Sequence, residues 1–268
     1  MIELTDAEFE QFQKLIYSTC GINLTLNKKQ LLVSRLRKRM ESLSLTSFRA
    51  YREHVIKKGN EEEFSQMLNA VSTNKTDFFR EPIHFEFLRT QVYPSLIKNS
   101  KIRIWCAASS SGEEPYTLAM TLAEALGGTN RDVKILATDI STKVLAEAEQ
   151  AVYSSEMVRP IPAPLLKKYF LKGHNESEGK YQVKDELKKW VHFKRLNLTE
   201  PLPLSIEFDY IFCRNVMIYF DQVTRESLVC RMEPFIKRGG HLFIGNAESL
   251  SGLTHPYKYV QPAIYQRK

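Results

Sequence analysis

The segment Trp105-Cys-Ala-Ala-Ser-Ser-Ser-Gly-Glu-Glu-Pro-Tyr116 holds the residue types best suited to gripping a small ligand. An apolar run gives way to small residues and then to a helix start, which is where nucleotide-type cofactors bind in a doubly wound sheet. Small side chains let the backbone approach a ligand, and Gly112 removes the Cβ penalty where the chain turns. Asp139 stands twenty-seven residues beyond Gly112, at the end of the next apolar run, in the place of a ribose-binding carboxylate. The loop lacks the GxGxxG pattern, however, and sets Glu113 and Glu114 where a pyrophosphate would sit. Like charges about 4 Å apart cost about 4 kcal/mol at an effective dielectric near 20, so a phosphate is disfavoured. A ribose-bearing cofactor that is cationic at its other end fits better. S-adenosylmethionine, with an ammonium and a sulfonium, has that form. The alternative is that both glutamates complement the helix dipole and face solvent.

Two further segments place polar groups at turns. In Ser72-Thr-Asn-Lys-Thr-Asp-Phe-Phe-Arg-Glu-Pro82, Asn74 and Thr76 can hydrogen-bond, and Arg80 can clamp a carboxylate through two parallel bonds. A capped linker with an exposed arginine is the other reading. In Phe212-Cys-Arg-Asn-Val-Met-Ile-Tyr-Phe220 a strand runs out into Arg214-Asn215, and functional side chains gather at such strand ends. Met217, Ile218 and Phe220 read as wall and core. Tyr219 suits either wall or chemistry.

The elements that must position these groups fall into two units. Phe9, Phe12, Leu15 and Ile16 recur at helical spacing, as do Leu31, Leu32, Leu36 and Met40, and residues 47–55 and 61–71 read as two more helices. From residue 101 strands and helices alternate: strands at 101–107, 133–139, 208–215 and 241–245, helices at 116–126, 141–151 and 222–236. That rhythm predicts a parallel sheet covered on both faces. Pro160, Pro162 and Pro164 interrupt it, and Tyr169-Phe-Leu, a polar turn and Lys180-Tyr-Gln-Val183 then read as a hairpin. The expected division is a helical domain at 1–77 and an α/β domain at 78–268, with a small antiparallel insertion at about 168–194.

Composition narrows the partners. Gly and Pro number eleven each in 268 residues and 43% of residues are hydrophobic, which excludes a disordered or collagen-like chain. No run is apolar enough to span a membrane and the start is acidic, so a cytoplasmic protein without a secretory leader or membrane insertion is expected. The formal charge of +7 fits an acidic partner, nucleic acid or protein. Cys20, Cys106, Cys213 and Cys230 are scattered, without CxxC pairing or histidine at ligand spacing, so no metal site is expected. Lys28-Lys-Gln-Leu-Leu-Val-Ser-Arg-Leu-Arg-Lys-Arg39 holds six cations and no acid; on a helix, Arg35, Lys38 and Arg39 are expected to face outward.

Taken in order, the blocks 72–81, 108–116 (Ala-Ser-Ser-Ser-Gly-Glu-Glu-Pro-Tyr), Ala137-Thr-Asp-Ile140, Arg195-Leu-Asn-Leu198, 211–221 and 239–250 give the chain a specific likeness. It resembles the CheR family of chemotaxis-receptor glutamate methyltransferases over essentially its whole length. The resemblance implies a Rossmann-like class I methyltransferase fold with an N-terminal all-helical domain and a β-subdomain. It implies S-adenosylmethionine as cofactor and S-adenosylhomocysteine as product. Asn74, Thr76 and Arg80 would contact the cofactor, and Glu113 would face its methionine end. Asp139 would take the ribose hydroxyls, while Asn197, Leu198, Arg214 and Asn215 would complete the pocket.

The implied acceptor, a glutamate of the cytoplasmic domain of a chemotaxis receptor, is already ionised at neutral pH. No obligatory catalytic acid or base is therefore expected, and Arg80 and Tyr219 would be orienting groups. Arg35, Lys38 and Arg39 would dock the receptor, with the enzyme acting as a monomer. A solvated face is the plainer reading of those three cations. An RNA methyltransferase would want aromatic platforms beside the basic run, and there are none. A nicotinamide dehydrogenase is disfavoured by Glu113 and Glu114. A cofactor-binding signalling module without turnover is the remaining rival.

Overall fold

A computed structural model describes residues 3–71, 74–96 and 101–268. Ser72 and Thr73, which open one of the blocks above, lie outside the described residues. The first unit is α1 (Asp6–Cys20), α2 (Lys29–Ser42), α3 (Phe48–Ile56) and α4 (Glu61–Val71). Thr5 caps α1, accepting from the Glu8 amide while Glu8 reaches back to the Thr5 amide, and Gly21 ends the helix at φ 69°. Phe9, Phe12, Ile16, Leu32, Leu36 and Met40 form its core with Tyr51 and Met67. Leu31, at 43% exposure, does not join them.

After a linker, α5 (Ile83–Phe87), a π-helical turn (Leu88–Val92) and α6 (Tyr93–Leu96) lead into β1 (Lys101–Ala107). Next come α7 (Glu113–Ala125), β2 (Asp132–Asp139), α8 (Thr142–Gln150) and β3 (Val152–Ser154). They are followed by α9 (Ala163–Tyr169), β4 (Phe170–Lys172), β5 (Lys180–Val183), α10 (Asp185–Lys188) and β6 (Val191–Arg195). The chain closes with β7 (Phe208–Cys213), α11 (Gln222–Met232), β8 (Ile236–Ile244), β9 (Tyr257–Gln261) and β10 (Ile264–Arg267).

The main sheet runs β6-β2-β1-β7-β8-β10-β9, parallel from β6 through β8, with β10 and β9 antiparallel. The chain leaves β1 toward β2 and β6, then returns to the other side of β1 as β7. That reversal opens a crevice at the carboxyl ends of β1 and β7. β1 and β7 carry runs buried on both faces, as expected of strands covered by helices on two sides. Phe212 stacks on Phe243 with ring centroids 4.4 Å apart, locking β7 to β8.

The insertion differs from its expected extent. It is a three-stranded antiparallel sheet in the order β3-β5-β4, so it begins at Val152. Residues 191–195 belong instead to the main sheet, as the edge strand parallel to β2. The short β3 has too few residues to show alternation, and β6 has only Val191 buried, so neither pattern was visible locally. Phe78 of the linker packs against Tyr153 and Phe170, so this small sheet is a floor for the linker.

His84 is fully buried on α5, and neither ring nitrogen has a hydrogen-bond partner. Burial and then the nearby Arg214 charge hold its pKa down to about 4, although Glu81 pulls the other way. In the unfolded chain the ring protonates near 6.5, whereas in the folded chain it refuses the proton until about 4. Its contribution to stability is therefore complete above 6.5 and is lost as the pH falls toward 4. Relative to His84→Leu, the native chain is expected to lose on the order of 1 kcal/mol per pH unit across that window. Urea unfolding of both proteins checks this; a difference independent of pH would mean that folded His84 accepts the proton freely.

Candidate active site

The crevice is a cavity walled from four directions. The end of α1 supplies Cys20 and Ile22, the linker Asn74, Lys75, Thr76, Asp77 and Arg80, and the β1–α7 turn Ala108, Ser110 and Glu114. The ends of β2 and β6 add Asp139, Ile140, Leu196, Asn197 and Leu198, and the segment after β7 adds Arg214, Asn215, Val216, Tyr219 and Phe220. Of the nine cofactor residues expected from sequence, eight meet here. Glu113 does not.

Glu113 is 1% exposed and does not line the cavity, its carboxylate accepting from the Ser111 hydroxyl at 2.9 and 3.1 Å. Burial raises its pKa, with its own amide and Ser111 opposing. Glu114 is the glutamate that faces the cavity. Amphipathic pattern could not separate the two, because α7 is buried on nearly every side. Gly112, at φ 96°, brings the turn close to Tyr153 and Ala148, where a Cβ would fall 2.8 and 3.0 Å from them. The Tyr153 hydroxyl donates to the Ser111 carbonyl at 2.8 Å, tying the turn to the small sheet below.

Beneath the cavity lies a charge cluster. The Arg214 side chain, 1% exposed, pairs with Glu81 at 2.9 Å and with Glu114, and it donates to the Arg80 carbonyl at 2.5 Å. Burial works against its charge, but Glu114 and Glu81 outweigh that and raise its pKa. For Glu81, burial is overcome by bonds from Asn215, Arg214 and the Asn246 amide, which hold its carboxyl below the ordinary range. Cys106 donates to Glu114 at 2.9 Å, and burial keeps that thiol protonated. Asp139 is 7% exposed and accepts from the Ser110 and Ser141 amides at 2.9 Å each. A carboxylate has about four acceptor sites, so Asp139 keeps capacity for a ligand's hydroxyls. Burial raises its pKa, and the amides of Ser141, Ser110 and Ile140 oppose.

Asn197 is spent on structure: its amide donates to the Thr19 carbonyl at 2.6 Å and to Glu200 at 2.9 Å. It forms wall and joins the two units. Arg80 donates to the Lys75 carbonyl at 2.9 Å, curling the linker around the cavity. Tyr219 has the Lys28 ammonium 5.3 Å above its ring, so the start of α2 reaches the mouth. Ile218 is 48% exposed rather than core, whereas Met217 is buried.

The docking trio separates in the same way. Lys38 is exposed as expected. Arg35 instead donates to the Val71 carbonyl at 2.6 Å, and Arg39 pairs with the buried Glu63 at 2.5 Å. Both face α4, because the acidic Glu63 and the open carbonyl end of that helix lie against α2. Sequence reading also passed over Glu81, Glu248 and Lys28. Their signal was only that they sat inside or beside blocks already singled out.

The groups present suit S-adenosylmethionine. Glu81 and Glu114 outnumber Arg214 beneath the cavity, while on its wall Asp77 and Asp139 match Lys75 and Arg80, so a ligand carrying one net positive charge is favoured. Ile22, Ile140, Leu196, Leu198 and Phe220 offer apolar walls for a flat base.

Residues 74–265 match the domain described as CheR methyltransferase, SAM binding domain, and residues 7–72 match the CheR methyltransferase, all-alpha domain. The chain belongs to the CheR methyltransferase family. A chemotaxis protein methyltransferase of Borreliella burgdorferi is 41% identical over 99% of this chain and 96% of its own length. Chemotaxis protein methyltransferase 2 of Pseudomonas aeruginosa is 41% identical over 97% and 93%, and that of Escherichia coli 38% identical over 98% and 92%. This family member is a methyltransferase dependent on S-adenosylmethionine. Among its described residues no helix is long and apolar enough to cross a membrane.

Because Glu114 faces the cavity and Glu113 does not, Glu114→Gln is expected to weaken S-adenosylmethionine binding by about tenfold or more, the worth of a charge-assisted contact. Glu113→Gln is expected to change it by about twofold at most while lowering Tm. Calorimetric titration of both variants decides, and the reverse ranking would restore Glu113 as the cofactor ligand.

Proposed function

We propose that this enzyme transfers the methyl group of S-adenosylmethionine to glutamate side chains of chemotaxis receptors, giving glutamate methyl esters and S-adenosylhomocysteine. The observation that carries the reading is the ionisable lining of the cavity. Among the described residues it includes no histidine, burial pushes its one thiol, Cys20, up to about 11, and of its carboxylates Glu114 pairs with Arg214 while Asp139 accepts from the Ser110 and Ser141 amides. A hydroxyl or amine acceptor must shed a proton to a base near neutrality, whereas a carboxylate has none to shed. Lys28, Lys75 and Arg80 lie at or near the mouth, where cations favour an anionic acceptor.

The bound cofactor supplies an electrophilic methyl on a leaving group that needs no further activation. What remains for the chain is placement. Asp139 and the apolar walls hold the nucleoside end, Asn74, Thr76 and Arg80 meet the amino-acid end, and Tyr219 borders the acceptor's entry. Closing these groups around both partners excludes water and fixes the line of attack; such positioning is worth roughly 7–11 kcal/mol in well-oriented reactions. The acceptor would be the cytoplasmic domain of a receptor, placing the enzyme in the cytoplasm.

Transfer of labelled methyl to receptor signalling domains tests the reading, with release of the label by mild alkali marking an ester. The rate at saturating substrate is expected to be flat around neutral pH. A base titrating near 7, or an alkali-stable product, would overturn the carboxylate acceptor. Lys38→Glu is expected to raise KM for receptor severalfold and flatten its salt dependence with kcat unchanged. Unaltered receptor kinetics would leave Lys38 merely solvated and move docking elsewhere.

A further inference from the structure

The segment Arg214–Tyr219 carries a cofactor wall at one end and the entry residue Tyr219 at the other, yet its backbone is not part of any helix ladder or sheet until residue 217. Asn215 sits at φ 58°, a conformation that non-glycine residues hold only when their surroundings impose it. What imposes it is a turn beyond β8. Glu248 donates its amide to the Gly245 carbonyl at 2.9 Å, closing Gly245-Asn246-Ala247-Glu248 over the end of β7. From there its carboxylate enters the protein, 9% exposed.

The two oxygens divide their work. Oε2 accepts from the Gly245 amide at 2.6 Å and from the Asn215 amide at 2.9 Å, while Oε1 accepts from the Ile218 amide at 3.2 Å. The Met217 amide adds to the same carboxylate. The contact admits no side chain at residue 245, since a Cβ there would fall 2.9 Å from both the Asn215 nitrogen and Glu248 Oε2 and against Asn215 Nδ2. On the opposite side Glu81 takes the Asn215 amide group and the Asn246 amide at 3.1 Å each. Glu81 thus grips side chains of the segment and Glu248 grips its backbone.

We propose that Glu248 is a positioning residue for methyl transfer, its carboxylate fixing the backbone of residues 215–218 and thereby the place of Tyr219 at the cavity mouth. The inference deepens the function above, since it rests on Tyr219 bordering the acceptor. Glu248→Gln separates the two halves of the carboxylate. A Gln oxygen at the Oε2 position keeps Gly245 and Asn215, but its amino group then meets the Ile218 N–H, donor against donor. The Tyr219 end is released while the cofactor wall stays.

The experiment compares Glu248→Gln, Tyr219→Phe and the double variant below their unfolding temperatures, by kcat, by S-adenosylhomocysteine affinity and by amide exchange. Glu248→Gln is expected to lower kcat by about 10- to 100-fold, as small misplacements do. Product affinity should stay within about threefold, because the contacts of Arg214 and Asn215 are kept. Exchange should accelerate at Ile218 and not at Gly245 or Asn215. The double variant should be no slower than the slower single one, since both changes act through one group. Unchanged exchange at Ile218, or a full kcat with that exchange accelerated, overturns the proposal. So does multiplication of the two kcat losses. If Tyr219→Phe alone is fully active, the role of Tyr219 in the proposed function fails, and exchange at Ile218 together with kcat of Glu248→Gln still decides whether Glu248 positions the segment.

Discussion

A guanidinium with 1% of its side chain exposed keeps its charge only where carboxylates meet it, and Arg214 meets two from separate segments. Glu81 comes from the linker and Glu114 from the first turn of α7, so one buried cation holds the linker, the β1–α7 turn and the end of β7 in a fixed relation. Removing one partner from such a cluster costs about 3–5 kcal/mol, because the remaining charge is left stranded in a dry interior. The same cluster sets the sign of the cavity. Two carboxylates over one cation leave negative charge next to the space that a ligand with a sulfonium and an ammonium would fill, with Asp139 adding to it from β2.

Backbone conformation points to the same place. Nine described non-glycine residues have positive φ, and five of them (Phe79, Glu81, Ala108, Ser110 and Asn215) lie in or directly beside the cavity wall. Each costs roughly 1–3 kcal/mol unless its surroundings compensate. Here the compensation is visible as hydrogen bonds: Ser110 to Asp139, Phe79 to Thr117 at 3.2 Å, and Asn215 to Glu248. The fold places its least comfortable backbone where side chains and amides must be aimed at a ligand, and it holds that backbone there with buried carboxylates.

Much of this was legible in the sequence. The parallel strands announce themselves by continuous apolar runs, the helical domain by its spacing, and Asp139 and Arg214 by their position where such strands end. The likeness of whole blocks to one family then supplied the expected set of pocket residues that spacing alone leaves open, and all but Glu113 line the cavity. The failures have physical causes. Arg35 and Arg39 read as surface because their row on α2 is polar, but a polar row can face a neighbouring helix that offers it Glu63 and a free carbonyl. Glu113 and Glu114 are consecutive on a helix buried nearly all round, so no periodicity tells which one lines the cavity. Glu248 is invisible because its value lies in the backbone amides it receives, and those of Asn215 and Ile218 belong to a segment about thirty residues away in the chain.

The helical domain does more than sit beside the sheet. Its α1 end contributes Cys20 and Ile22 to the cavity wall. It is fastened there by Tyr17 to Asp221 at 2.7 Å and by Thr19 to Asn197 at 2.6 Å. At Gly21 the approach is so close that a Cβ would lie 2.5 Å from the Thr199 methyl. Retention of a ligand and seating of the helical domain therefore draw on the same surfaces, which makes them linked equilibria. Whatever factor the ligand adds to the seating, a tighter seating returns to the ligand. A partner that favoured the seating of the helices would thereby raise the affinity of the cavity for its ligand, without touching it.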